Sequence, residues 1–224
     1  MENSEIKDIF KTINLNLKDD LISDIKVYIN EIKVWNQRCN LTAFEKDEDI
    51  LVNLFLDSYT LIPYIKRDSI FLDVGTGAGF PGLAIKLYFE KLKISLIDSS
   101  AKKVTFLNHI RSLLKLINVE TIWGRSEDLG HEKKYREKYD MVCSRAVARM
   151  NVLSELCLPF VKIKGVFLSM IGKDDKEVFE TKDVVELLGG RVEKIDKIKL
   201  PYFKEDRHIV VIKKVKSTPD EYPR

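Results

Sequence analysis

In the stretch FLDVGTGAGFPG (71–82), Gly75, Gly77 and Gly79 stand at alternate positions behind an acid, Asp73. Glycines spaced this way let a ligand lie against bare backbone, because no Cβ intervenes. A second acid, Asp98, ends the next apolar run 23 residues beyond Gly75. A carboxylate in that place can accept both hydroxyls of an adenosine ribose. The chemistry on offer is therefore the binding of an adenosine-bearing cofactor. A phosphate loop of the Walker type is excluded, because Phe80-Pro81-Gly82 stands where Gly-Lys-Ser/Thr would grip phosphate and magnesium. A dinucleotide fingerprint counted from Gly75 meets Phe80 in place of its third glycine. Counted from Gly77 it fits, but it begins two residues too late for the tight turn off a strand. The acid inside the strand end and the three alternate glycines favour S-adenosylmethionine. A dinucleotide remains the alternative.

Other residues cluster around the same chemistry. Ser126 and Glu127 follow a third strand-like run, where an adenine edge would lie; the plainer reading is a helix N-cap with a first-turn acid. Arg145 and Arg149 follow a fourth run, where an arginine meets a substrate phosphate or a methionyl carboxylate, or simply pairs with a neighbouring helix. Pro81 suits a first helical position, and Phe80 can pack its ring near the cofactor. Methyl transfer chiefly needs alignment of an acceptor lone pair. Carbon methylation would need a thiolate, but Cys143 and Cys157 sit in apolar patterns and read as packing. No Asp/Asn-Pro-Pro-aromatic loop for exocyclic amines follows the fourth run, which continues as CSRAVAR (143–149). A ring nitrogen with a free lone pair is compatible with such a site. His109, His131 and His208 have no partners at metal-ligand spacing, so no metal is assigned.

The elements that must position these residues change character near Pro63. Before it, Leu21, Ile25, Ile29, Ile32 and Trp35 fall on one helical face, and a second helix is expected over about 48–62. After it, strand-like runs at 70–74, 94–98, 119–123, 139–144 and 165–171 alternate with helical stretches such as 101–116. That alternation implies right-handed parallel crossovers. The last two runs, 191–200 and 207–215, are joined by only PYFKED, too short for a crossover, so they are expected to pair antiparallel. The expected fold is α/β: a doubly wound, Rossmann-like sheet of seven strands with a C-terminal antiparallel hairpin. Residues 1–62 form a small N-terminal helical cap, and residues 63–224 the S-adenosylmethionine-binding domain.

Composition sets outer limits. The chain of 224 residues is long enough for one substantial core, and its apolar runs are too short to span a bilayer. No leader opens the sequence, and three scattered cysteines suggest no disulfide framework, so a cytoplasmic protein is expected. Residues 1–62 carry 7 Lys/Arg against 12 Asp/Glu, while the remainder carries a balance of +8. A basic body behind an acidic front suits a polyanion, although solvated lysines explain the charge equally well.

In order, NLTAF (40–44), FLDS (55–58), LDVGTGAGFPG (72–82), DSSAKKVTFL (98–107), SRAVA (144–148), LCLP (156–159), KLP (199–201) and RHIVVIKK (207–214) resemble one family. It is that of the 16S rRNA guanine-N7 methyltransferases, called RsmG or GidB, and the likeness covers about 40–215. The resemblance implies the class I S-adenosylmethionine methyltransferase fold. It also implies methyl transfer to N7 of a guanine near the decoding centre, with 16S rRNA or the small ribosomal subunit as partner. A single chain without metal or membrane is expected to suffice. Carried onto matching positions, cofactor contacts come from Gly75, Gly77, Phe80, Asp98, Ser126, Glu127 and Arg145; no catalytic side chain is implied. Two departures stand out: Leu54 replaces a histidine common before FLDS, and Ile171 replaces a lysine, with Lys173 two residues on.

Overall fold

The computed structural model describes residues 1–145, 149–172, 181–203 and 206–224. Lys173 and most of SRAVA lie outside the described residues.

Two amphipathic helices open the chain, α1 (Asn3–Lys11) and α2 (Asp19–Cys39). The seam of α2 is Ile22, Ile25, Tyr28, Ile29 and Ile32, all buried; Leu21 and Trp35, expected on that face, are only partly buried at its margin. The expected second helix is wound in three ways: α3 (Asp47–Ile50), a π-helical stretch Leu51–Leu56, and α4 (Asp57–Tyr59). Five of the six side chains in the π stretch are buried. A π segment re-aims side chains and is common at functional sites.

The sheet follows. Its strands are β1 (Ile70–Val74), β2 (Lys93–Asp98), β3 (Val119–Trp123), β4 (Tyr139–Arg145), β5 (Val161–Ile171), β6 (Gly190–Ile198) and β7 (Arg207–Lys214). Between them lie α5 (Gly82–Tyr88), α6 (Ala101–Leu113), α7 (Ser126–Leu129), α8 (Met150–Cys157) and α9 (Lys182–Leu187). The order across the sheet is β3-β2-β1-β4-β5-β7-β6. β1 to β5 run parallel, and β7 is antiparallel to both β5 and β6. β5 begins four residues before the expected 165, because its pairing with β4 shifts register between Tyr139 and Met141 and takes in Val161.

One hydrophobic cluster joins α1, α2 and the π stretch to one sheet face through Phe71, Leu96, Met141 and Val211; a second covers the other face through Val142, Phe160, Phe167 and Ile212. Parallel strands covered on both faces need apolar residues at successive positions, which explains runs such as Met141 to Cys143, whose side chains alternate between the two clusters. The end of the sheet is tied down by polar contacts. Lys214, wholly buried, donates to the Leu158 carbonyl at 2.6 Å and to the Thr218 hydroxyl, and burial pulls its pKa down to about 8. Arg136 donates to the carbonyls of Gly130, Thr218, Pro219 and Tyr222.

Candidate functional site

The chain leaves β1 toward β2 on one side and leaves β4 toward β5 on the other. The carboxyl ends of β1 and β4 thus frame the switch point, where open α/β sheets bind ligands. The glycine loop begins there. Gly75 and Thr76 donate their N–H groups to the Ile97 carbonyl at 2.9 and 3.0 Å. Gly75, Gly77 and Gly79 all have positive φ (71°, 61° and 90°). Side chains resist that conformation, which is why the loop needs glycines. A Cβ placed on Gly77 would meet nothing within 4 Å, so the loop turns bare backbone toward open space.

Two acids hold the loop from beneath. Asp73 is completely buried and accepts from the Thr76 hydroxyl (2.6 Å) and the Gly82 N–H (2.8 Å). Asp98 accepts from the Gly77 N–H through Oδ2 and from the Ser100 N–H through Oδ1, both at 2.9 Å. A carboxylate has about four lone-pair sites, so each Asp98 oxygen can still accept from a ligand hydroxyl. From above, Tyr28 of α2 donates its hydroxyl to the Ala78 carbonyl at 2.6 Å and stacks on Phe80 at 5.4 Å. Phe55, from the π stretch, meets the same Phe80 ring edge-on at 4.8 Å.

Burial is the largest influence on Asp73. It outweighs the bonds from Thr76 and Gly82 and raises the carboxyl from 3.8 to about 6. Folding therefore favours the protonated acid, and this group's contribution to stability falls as pH rises from about 4 through about 6. Two pKa units correspond to about 3 kcal/mol. Asp73→Asn, which does not titrate, should gain about 2 kcal/mol of this on the wild type between pH 4.5 and pH 7, the rest falling below pH 4.5. Urea melts of both proteins at the two pH values check this; parallel profiles would contradict it.

Two cavities flank the loop. The larger, about 430 Å³, is lined by Asp98, Ser99, Lys103, Gly124, Ser126 and Glu127, among others. The smaller, about 160 Å³, is lined by Leu41, Leu54, Gly75, Thr76, Gly77, Ala78, Phe80 and Arg145. Gly75 and Arg145, one at each switch-point strand, line both. The structure thus places Asp98, Ser126 and Glu127 at the larger cavity, Gly77 and Phe80 at the smaller, and Gly75 and Arg145 where the two meet.

Three local details differ from expectation or settle it. Ser126 is the first helical residue of α7 rather than its N-cap; Arg125 is the cap, because its backbone is extended and its carbonyl already accepts from Leu129. Pro81 caps α5, which starts at Gly82. Arg145 makes the ion pair that sequence left as one of two readings. Its Nη1 donates to Asp57 Oδ2 and to the Asn53 carbonyl, each at 3.0 Å, while its guanidinium lies 5.8 Å from the Phe80 centroid. Leu41, which lies inside NLTAF, and Leu54, noted in the sequence only as a departure from the family, supply an apolar wall to the smaller cavity.

Burial pushes the thiols of Cys143 and Cys157 well up, so the thiolate that carbon methylation would need is disfavoured. The histidines serve structure: His109 pairs with Glu31, His131 with the Pro223 carbonyl and His208 with the Gly172 carbonyl. Among the described residues no three His, Cys, Asp or Glu gather as a metal site would require, and no helix is long and apolar enough to cross a membrane.

Solved structures share this fold. A SAM dependent methyltransferase from Aquifex aeolicus aligns with a TM-score of 0.55 at 22% identity, over 73% of this chain and 92% of its own. A 16S rRNA (adenine(1408)-N(1))-methyltransferase from Catenulisporales acidiphilia aligns with a TM-score of 0.56 at 14% identity, over 68% and 87%. At such identities the likeness establishes the fold of class I methyltransferases and nothing finer. Sequence relatives are nearer. The ribosomal RNA small subunit methyltransferase G of Acetivibrio thermocellus is 45% identical over 94% of this chain and 87% of its own length. The protein of the same name from Alkaliphilus oremlandii is 42% identical over 98% and 95%. The family model described as GidB, rRNA small subunit methyltransferase G, matches residues 21–210. The chain belongs to that family.

Proposed function

We propose that the protein transfers a methyl group from S-adenosylmethionine to N7 of a guanine in 16S rRNA. The carrying observation is the meeting of two cavities at Gly75 and Arg145, in a chain that matches the rRNA methyltransferase family across 21–210. The residues fit the cofactor. Asp98 offers free lone pairs for a ribose, α7 and Gly124 line the space for an adenine, and the bare loop around Gly77 leaves room for a methionyl tail. Arg145 is the cation for its carboxylate.

S-adenosylmethionine supplies an electrophilic sulfonium methyl. The protein's part is alignment and exclusion of water. Leu41, Leu54 and Phe80 form the apolar side of the smaller cavity, and Arg145 is the one ionisable side chain among the described residues lining it. Among the described residues no general base lines it, and N7 of guanine, which offers a lone pair and loses no proton, needs none. Residues 1–62 serve as the cap that closes this side. The protein works as a single chain in the cytoplasm, where its ribosomal substrate is, and lysines of the body meet RNA phosphates.

The test incubates the protein with tritiated methyl donor and either small ribosomal subunits or naked 16S rRNA, then digests the RNA. Label in 7-methylguanosine is expected. Label in a small molecule only, or none despite tight binding of S-adenosylhomocysteine, would replace the reading by a small-molecule enzyme or a non-catalytic RNA-binding relative. RNA affinity should fall steeply with salt, because counterions released into a more concentrated solution gain less entropy; about six phosphate contacts lose roughly a thousandfold between 50 and 200 mM salt.

A further inference from the structure

Asp57 lies in FLDS, one of the motifs of the resemblance, yet it is not among the cofactor contacts carried over from the family and has no role assigned. This side chain opens α4, directly behind the π stretch, and is 4% exposed. Its Oδ2 accepts from Arg145 Nη1 at 3.0 Å, and its Oδ1 lies 3.5 Å from Arg207 Nε without a hydrogen bond. Arg207 begins β7, and its guanidinium also lies 4.2 Å from the Phe203 centroid. One carboxylate therefore sits between guanidinium groups from β4 and β7, and the cluster keeps a net positive charge.

A buried arginine without a counter-charge is costly, and a long side chain without fixed partners does not hold one direction. Here the direction is fixed from one helix. Asp57 and the Asn53 carbonyl both hold Nη1 of Arg145, and the Phe80 ring lies beside the guanidinium. Yet Arg145 still lines both cavities. With one carboxylate between two arginines, the field around Arg145, which lines both cavities, is positive on balance and favours an anion entering at Gly75.

We propose that Asp57 is a positioning residue: through Arg145 it sets the recognition of the α-carboxylate on the methyl donor's amino-acid tail. The inference rests on the cofactor reading above. It also gives the cap a definite task, because Asp57 belongs to the N-terminal segment while Arg145 belongs to the sheet. Asn53 and Asp57, four residues apart, share one helical face and so reach the same guanidinium.

The test uses two probes that share the adenosine but differ in the tail: S-adenosylhomocysteine, which has the carboxylate, and 5′-methylthioadenosine, which lacks the amino acid. Calorimetry is run on the wild type, Asp57→Asn, Arg145→Gln and the double variant, with a thermal melt for each. Asp57→Asn should weaken S-adenosylhomocysteine about tenfold or more, as expected for a misdirected charge-assisted bond, and leave methylthioadenosine within about twofold. Arg145→Gln should do the same, and adding Asp57→Asn to it should cost nothing further. Equal loss of both probes would mean a merely structural role and overturn the proposal. So would an extra loss of S-adenosylhomocysteine in the double variant relative to Arg145→Gln. That last comparison removes both buried charges together, so it stands even where Asp57→Asn alone is too unstable to titrate. Failure of the wild type to bind S-adenosylhomocysteine at all would fall on the cofactor reading itself and take this inference with it.

Discussion

Asp98→Ala should all but abolish binding of S-adenosylhomocysteine while leaving a folded protein. Two hydrogen bonds from ribose hydroxyls to a carboxylate account for about 3–5 kcal/mol together, a loss of roughly a hundred- to several thousandfold in affinity. The substitution also frees the Gly77 and Ser100 N–H groups that Asp98 now accepts from. The glycine loop then has to be ordered on binding, which adds to the loss. Calorimetry reads the affinity, and a melt within a few degrees of wild type shows that the sheet survives. Unchanged affinity in a folded variant would remove the ribose assignment, and methyl transfer to RNA should track the same loss.

Gly79→Ala is expected to damage the whole molecule. An added Cβ would stand 2.2 Å from the Tyr28 hydroxyl and 2.9 Å from Leu83 Cβ, on backbone at φ +90°. Backbone strain and overpacking each cost about 1–3 kcal/mol, so a total of roughly 3–5 is expected. For a chain of this size that lowers Tm by about 10 °C. The neighbour that must give way is diagnostic. Tyr28→Phe removes the colliding oxygen along with its bond to Ala78, so the double variant should be markedly more stable than the sum of the two single changes. Strict additivity would show that Tyr28 is not what confines the loop.

Much of this architecture was legible because its signals are local. The alternate glycines, the acid of β2 and the six-residue link before β7 each announce a feature within a dozen residues. The sheet's alternation with helices follows for the same reason. What could not be read depends on pairings across the chain. Asp57 and Arg145 are 88 residues apart, and Tyr28 and Ala78 are 50 apart. Nothing near any of them shows the partner. Tyr28 lies on the predicted face of α2 and passes for ordinary core, yet its hydroxyl governs the loop. The π winding was hidden for a different reason: LVNLFL is buried nearly all round, so its apolar pattern carries no period to read. Ser126 misled because serine favours N-caps, while backbone geometry gave that place to Arg125.

The position of β7 bears on how the molecule is made. Arg207–Lys214 is synthesised after the other six strands of the sheet, yet it lies inside it, between β5 and β6. Until it arrives, β6 has no partner and β5 presents an open edge running from Val166 to Ile171, mostly apolar. By then the loop, both acids and Arg145 have long been translated, so the cofactor cradle can take shape while the sheet is unfinished. A nascent chain emerging at about 5–20 residues per second passes seconds with that edge uncovered. This is the interval in which two growing copies on one messenger are most able to pair with each other, and in which a chaperone would have most to protect.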